Sequence, residues 1–314
     1  ERVRIPFEYK GHLPLISVRI NGFPPLKFIF DTGAEHTVLL YDHLAPVLGL
    51  DYHREVDLTG ADLSKKMKAY LSANVELKIG EEVVATHQNI LILQENQLHL
   101  EQVLGERVYG ILGASLFRQY VLEIDYQDRE IVLHRPGSLT AARMQGFTAH
   151  PMKVVNNKPY LNSRLLLTEG DTLKDLLFLM DTGAGIGLMV ATHTDPRLKV
   201  PEGALLTTVG IGLSGNVKGF IGRTRLFEFE EFPLHQVVTN YQELPDSVWY
   251  QRDFNKNGIV GNVVLERFTL VLDYNRELIW VKPDREFSRA FKYDRSGLTV
   301  IAAGPNLDKY FING

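Results

Sequence analysis

The sequence predicts an all-β fold assembled from two copies of one unit, with short helices between strands. Three repeats carry this expectation. An apolar strand running into an aspartate occurs twice, as Phe28-Ile29-Phe30-Asp31-Thr32-Gly33-Ala34 and as Phe178-Leu179-Met180-Asp181-Thr182-Gly183-Ala184. Gly110-Ile111-Leu112-Gly113 returns as Gly258-Ile259-Val260-Gly261, so Gly113 follows Asp31 by 82 residues (113 − 31) and Gly261 follows Asp181 by 80 (261 − 181). Asp125-Tyr126 returns as Asp273-Tyr274 at an offset of 148, the same as between Gly113 and Gly261, while Asp31 and Asp181 differ by 150. Motifs repeating at one near-constant offset mark two copies of a supersecondary unit. A chain of mostly strands belongs to the all-β class.

In chain order, Leu15 to Ile20 alternates in polarity, Asn21-Gly22 supplies a turn, and Leu26 to Phe30 leads into Asp31. Thr37 to Leu40 reads as a short strand, and Tyr41 to Leu48 as a short helix closed by Gly49. Glu55 to Lys78 is loosely alternating, with a turn at Thr59-Gly60, and Val83 to Leu93 offers further strands. Gly110 to Phe117 reads as an apolar segment entering a short helix. Tyr120 to Tyr126 and Ile131 to Leu133 read as a closing hairpin. Pro136-Gly137-Ser138 marks a boundary between residues 1–136 and 137–283. The second half replays the first: a hairpin from Tyr160 to Met180, a second from Val209 to Thr224, a glycine–helix segment at Gly258 to Glu266, and a closing hairpin over 269–281.

The repeated motif places a carboxylate where an apolar strand enters the core. A carboxylate is costly there unless it is hydrogen-bonded, paired or used. Threonine adds a hydroxyl that can bond backbone or a partner across an interface, and glycine permits the sharp turn that leaves the carboxylate at the tip. At about 5–7% usage per residue type, one Asp-Thr-Gly arises by chance in about one in fifteen chains of this length. Two copies with matching flanks do not.

A strand ending in Asp-Thr-Gly-Ala, followed by two apolar residues and a glycine, resembles the aspartic peptidases of the retropepsin and pepsin type. The resemblance covers residues 5 to 283. Retropepsins complete one site from two chains, whereas pepsins carry both motifs in one chain. This chain resembles the single-chain arrangement, with short lobes worded like two fused retropepsins. The resemblance implies two similar acid-protease lobes of the closed-barrel type with the active site at their interface. It implies Asp31 and Asp181 as the catalytic pair. It places Thr32 and Thr182 in a mutual hydrogen-bond lock beneath the carboxylates, with the backbone N–H groups of Gly33 and Gly183 aimed at them and Gly113 and Gly261 in support. Ala34 and Ala184 stand where pepsin-like enzymes often carry a hydroxyl. Alanine cannot donate from its side chain, so the pair is expected to titrate high enough for a mildly acidic to near-neutral optimum.

The resemblance also implies flaps over the cleft, at Thr59 and Gly60 in the first half and at Gly210, Gly212 and Gly215 in the second. For the first hairpin an exposed, solvated turn weighs equally. Gly210 to Gly215 also matches G-x-G-x-x-G, but a dinucleotide site needs a strand before it and a helix opening at the third glycine. Asn216 to Ile221 alternates instead, which favours a hairpin. Asp253 to Gly258 opens like a calcium loop, yet Val264 occupies the twelfth position where an acidic ligand belongs. No paired-histidine motif and no G-x-S-x-G nucleophile motif occurs. Residues 284–314 lie outside the repeat, and Ser296 to Ile301 faintly resembles the opening of a PDZ domain.

Composition bounds the partners. The 314 residues are 45% hydrophobic and 23% charged, ordinary for a globular protein. The net charge of −4 gives no global field for nucleic acid, and no apolar run is long enough to span a membrane. The absence of cysteine excludes disulfides and thiolate chemistry. A start at Glu1 rather than Met is read as loss of a leader, favouring an exported protein, with simple trimming the plainer alternative. The expectation is a peptide-bond hydrolase that takes an extended peptide, needs no cofactor or metal, and completes its site within one chain. The alternatives are a non-catalytic peptide-binding protein that kept the cleft and a paired-carboxylate glycosidase, which needs carboxyls about 5–9 Å apart.

Overall fold

Two eight-stranded sheets repeat one strand order. The computed structural model describes residues 2–59, 66–81, 83–96, 98–168, 170, 172–212, 215–243 and 256–292. In the first sheet the strands run, in spatial order, Glu8–Lys10, Leu13–Ile20, Leu26–Asp31, Gly110–Gly113, Thr37–Leu39, Val83–Leu93, Lys66–Ile79 and Arg54–Thr59. The second sheet repeats this with Lys153–Val155, Lys158–Leu166, Leu173–Met180, Gly258–Val260, Leu188–Ala191, Phe232–Gln242, Gly215–Phe229 and Leu205–Gly212. In each sheet the second strand also meets the seventh, Val18 opposite Ile79 and Leu165 opposite Phe227, which curls the sheet back on itself. The class is all-β, with two similar lobes.

The closing hairpins leave the lobe sheets. Val121–Asp125 pairs with Phe268–Asp273, Val121 opposite Asp273 and Ile124 opposite Leu270. Their hairpin partners and the strands Arg2–Pro6 and Thr148–Pro151 extend this into a six-stranded sheet shared by both halves. The apolar repeats at Leu122, Ile124, Leu270 and Leu272 are buried in the main core.

The motif strands are buried on both faces, which is why they read as continuous apolar runs. Phe28 and Phe30 enter the main core, while Ile29 joins a separate cluster with Leu15, Val38 and Ile111, against which Ala34 packs. Leu179, Met189 and Ile259 form the matching cluster beside Ala184. Each motif strand lies parallel to its glycine segment, with Asp31 in register with Gly113 and Met180 with Val260.

Local expectations hold with one contraction. Asn21 and Gly22 turn at φ of 48° and 77°. The helix expected over 41–48 shrinks to a single turn at Asp42–Leu44, because Pro46 has no N–H to continue it, and Gly49 then reverses the chain at φ 64°. The glycine–helix segments end in short helices at Ala114–Phe117 and Asn262–Leu265. Gly210 to Gly215 lies on a hairpin with Gly212 opposite Gly215, so the strand-to-helix turn of a dinucleotide site does not form there. Gly60, the start of the calcium-like motif at Asp253, and Ser296 to Ile301 fall outside the described residues. Among the described residues, no helix is long and apolar enough to cross a membrane.

Gly258 shows how tightly the second motif strand is gripped. A Cβ there would lie 2.1 Å from the Met189 carbonyl oxygen and 2.4 Å from the Phe178 ring. The Gly258→Ala variant should therefore lose about 3 kcal/mol of stability, read as a lower denaturant midpoint.

Candidate active site

The two motif loops meet at the lobe interface and hold each other through four crossed hydrogen bonds. The Thr32 N–H donates to Thr182 Oγ1 at 3.0 Å, and the Thr182 N–H to Thr32 Oγ1 at 3.1 Å. Each hydroxyl then donates across the interface, Thr32 to the Met180 carbonyl at 2.7 Å and Thr182 to the Phe30 carbonyl at 2.8 Å. Both threonines are fully buried. This is the lock the sequence resemblance implied, and it brings residues 150 positions apart into register.

Above the lock, the carboxyl groups of Asp31 and Asp181 approach closely enough for Asp181 to raise Asp31. Each also packs against the other lobe's glycine. A Cβ on Gly33 would lie 2.6 Å from Asp181 Oδ2, and one on Gly183 would lie 2.3 Å from Asp31 Oδ2. No other residue type fits beneath the opposite carboxylate. The Gly33 N–H donates to Asp31 Oδ1 at 2.6 Å, and the Gly183 N–H to Asp181 Oδ1 at 2.8 Å.

The halves then diverge. The Ala34 N–H donates to Asp31 Oδ1 at 3.0 Å, whereas the Ala184 N–H turns to the Asp181 carbonyl at 3.3 Å. Ala34 thus supplies a backbone donor although its side chain has none. Burial, the charge of Asp181 and the bond to Asp181 together push the Asp31 carboxyl well above its ordinary range, against the opposing pull of the Gly33 and Ala34 N–H groups.

Gly113 and Gly261 stand where the loops need bracing. A Cβ on Gly113 would strike the His36 backbone at 2.6 Å, and one on Gly261 would meet the Ile186 carbonyl oxygen at 2.4 Å. The next residues tie the loops down, Ala114 N–H to the Ala34 carbonyl at 3.0 Å and Asn262 N–H to the Ala184 carbonyl at 2.8 Å. Thr59 ends the strand Arg54–Thr59, opposite Lys66, and Gly210, Gly212 and Gly215 sit at the distal part of the second hairpin.

A polar group under the second loop escaped the sequence reading. The buried Asn262 side chain donates to the Thr182 carbonyl at 2.6 Å and to the His12 carbonyl at 2.7 Å, and accepts from the Tyr126 hydroxyl at 2.7 Å. Nearby, Glu266 accepts from the Tyr9 hydroxyl at 2.5 Å and pairs with His12 Nδ1 at 2.9 Å. Burial raises the Glu266 carboxyl, but the His12 and Tyr9 hydrogen bonds outweigh it and hold it below the ordinary value of 4.5. The Glu266 hydrogen bond raises His12 above 6.5, against a smaller opposing effect of burial. The one hint in sequence was position: Asn262 directly follows Gly261.

A family model described as aspartyl protease matches residues 16–116, the stretch containing Asp31 and Gly113. No curated protein matches the chain by sequence. Among solved structures, the chain is similar to the aspartic proteinase from Irpex lacteus at a TM-score of 0.57 and 12% identity, covering 92% of this chain and 99% of that one. It is similar to basic 7S globulin from soybean at a TM-score of 0.53 and 8% identity, covering 93% and 97%. The family match falls on the first lobe, and the likeness to the solved structures shows that the two-lobed fold is shared over both.

Two outcomes test the interface. Thr182→Val should leave the Thr32 N–H and the Phe30 carbonyl buried without partners, costing about 2–6 kcal/mol, measurable by chemical denaturation. The His12–Glu266 pair joins the two halves, and its stabilisation should be greatest between the two titrations. The part from His12, whose value is raised, is full below 6.5 and fades as pH rises through the folded value. The part from Glu266, whose value is lowered, is present above 4.5 and fades as pH falls through the folded value. Melting curves of wild type and His12→Ala should converge at alkaline pH.

Proposed function

We propose that this chain is an aspartic endopeptidase that hydrolyses peptide bonds with a water activated by Asp31 and Asp181. The observation that supports it best is the approach of the two carboxyl groups across the interface, each resting on the other lobe's glycine, with Asp31 pushed upward. Carboxylates at contact distance cannot both ionise, so the pair keeps one proton over a working pH range, the known behaviour of paired aspartates. The ionised member takes a proton from a bound water, and the oxygen of that water attacks the peptide carbonyl carbon. The protonated member donates to the carbonyl oxygen, giving a tetrahedral diol. Proton transfer to the amide nitrogen then lets the C–N bond break, and no bond to the protein forms. The proton belongs to the pair, so acid and base are roles of the pair rather than of either residue. The same approach argues against a glycosidase, whose carboxyls stand about 5–9 Å apart.

The substrate is an extended peptide lying between the lobes. Its backbone would pair with the hairpins ending at Thr59 and carrying Gly210, Gly212 and Gly215, and alternate side chains would enter pockets. One chain supplies both carboxylates, so a monomer suffices.

A peptide library incubated across a pH series tests this. Wild type should cleave, with an optimum above about pH 3, and Asp31→Asn or Asp181→Asn should lose cleavage by about 10³-fold or more. Peptides that bind without being cut at any pH would turn the reading to a binding protein. Stability carries a second sign. Because Asp31 is raised, its contribution is full below 3.8 and is lost as pH rises through the folded value. Asp31→Asn should therefore gain stability relative to wild type as pH rises.

A further inference from the structure

The two halves carry matching buried tyrosines, but among the described residues only one of the two hydroxyls has a hydrogen-bond partner. Burial raises both; after it, the charge of Glu266 and then that of Asp181 raise Tyr126 of the first half, and the charge of Asp31 raises Tyr274 of the second. Both side chains are buried. The Tyr126 hydroxyl donates to Asn262 Oδ1 at 2.7 Å. Among the described residues, the Tyr274 hydroxyl has no hydrogen-bond partner. The repeat explains the difference. At the offset of 148 that relates Gly113 to Gly261 and Tyr126 to Tyr274, the counterpart of Asn262 is Ala114. The two residues occupy the same backbone position, since each donates its N–H to the alanine of its motif. Ala114 has no amide to offer Tyr274.

Asn262 makes three of the four hydrogen bonds a side-chain amide can make. Its two amide hydrogens go to the Thr182 carbonyl, within the Asp181 loop, and to the His12 carbonyl of the other half, while its oxygen accepts from Tyr126. His12 holds φ at 59°, an uncommon conformation for a side-chain-bearing residue. The Asp181 loop is thereby tied to two elements of the opposite half, and the Asp31 loop has no such tie through Ala114.

We infer that Asn262 is a positioning residue that fastens the Asp181 loop to the first lobe, and that the loss of its counterpart at Ala114 makes the two carboxylates mechanically inequivalent. Asn262 touches no reacting atom. It acts through the Thr182 carbonyl, one residue from the carboxylate. The inference rests on the proposed peptidase activity for its kinetic consequence but not for its structural one.

The test uses the full chain in four variants. Asn262→Ala should lower kcat by about 10–100-fold, as a displaced reacting group does, with KM within about twofold of wild type. Asn262→Asp keeps the shape and the acceptor for Tyr126 but loses both donated bonds, and should fall with the alanine variant. Tyr126→Phe should lower the melting midpoint by about 2–4 °C, whereas Tyr274→Phe, which removes only an unpartnered hydroxyl, should leave it unchanged or raise it. An equal loss in the two phenylalanine variants would overturn the inference, as would wild-type kcat in Asn262→Ala. If wild type cleaves no peptide, the activity reading fails, and the contrast between Tyr126→Phe and Tyr274→Phe still decides this inference.

Discussion

The crossed bonds between Thr32 and Thr182 are the constraint on which the rest depends. Each hydroxyl accepts one backbone N–H and donates to one backbone carbonyl of the opposite strand, so four buried polar groups are satisfied only when the halves are together. Separating them would expose an unpaired set of groups whose desolvation is costly on both sides. The lock lies directly below the carboxyl groups. Two acids that would repel each other as free anions are therefore held close together by a neutral network that neither acid has to supply.

The glycines complete that arrangement from the other direction. Gly33 and Gly183 let each carboxylate rest on the opposite loop, closer than any Cβ would allow. The approach that raises Asp31 and the backbone N–H groups that oppose the rise come from the same four-residue turn. In the proposed mechanism stability and reactivity are coupled there: the turn that anchors the carboxylate also forces the approach that makes one proton shareable.

What the sequence made legible follows the same physics. Asp, Thr and Gly at 31–33 and 181–183 are each demanded by local geometry, so both copies keep the same letters and the site could be read before any contact was known. The hairpins at 121–134 and 268–283 were legible as hairpins, but their pairing with each other was not. An alternating strand states that it has a neighbour without stating which. The Tyr126–Asn262 bond spans 136 residues, and its asparagine is an alanine in the other half, so no repeat pointed to it. Asp125-Tyr126 and Asp273-Tyr274 served only to mark the repeat, although the second residue of each is buried and feels the charge of an aspartate of the motif pair.

That difference between halves is what a single chain permits. In a two-fold dimer every contact appears twice, because the same residue occupies both symmetric positions. An asparagine at the position after the second glycine would then brace both loops, or an alanine would brace neither. Here Asn262 and Ala114 occupy equivalent positions in one chain and have diverged. The symmetric parts are those that bring the acids together: the crossed threonines, the close-packed glycines and the parallel glycine strands. Among the described residues the asymmetric parts are the Tyr126 hydroxyl, which is satisfied where that of Tyr274 is not, and the two backbone N–H groups on Asp31 against one on Asp181. A shared proton requires the first set to be nearly symmetric, since contact distance sets the coupling. Preferring one direction of proton transfer requires the second set not to be.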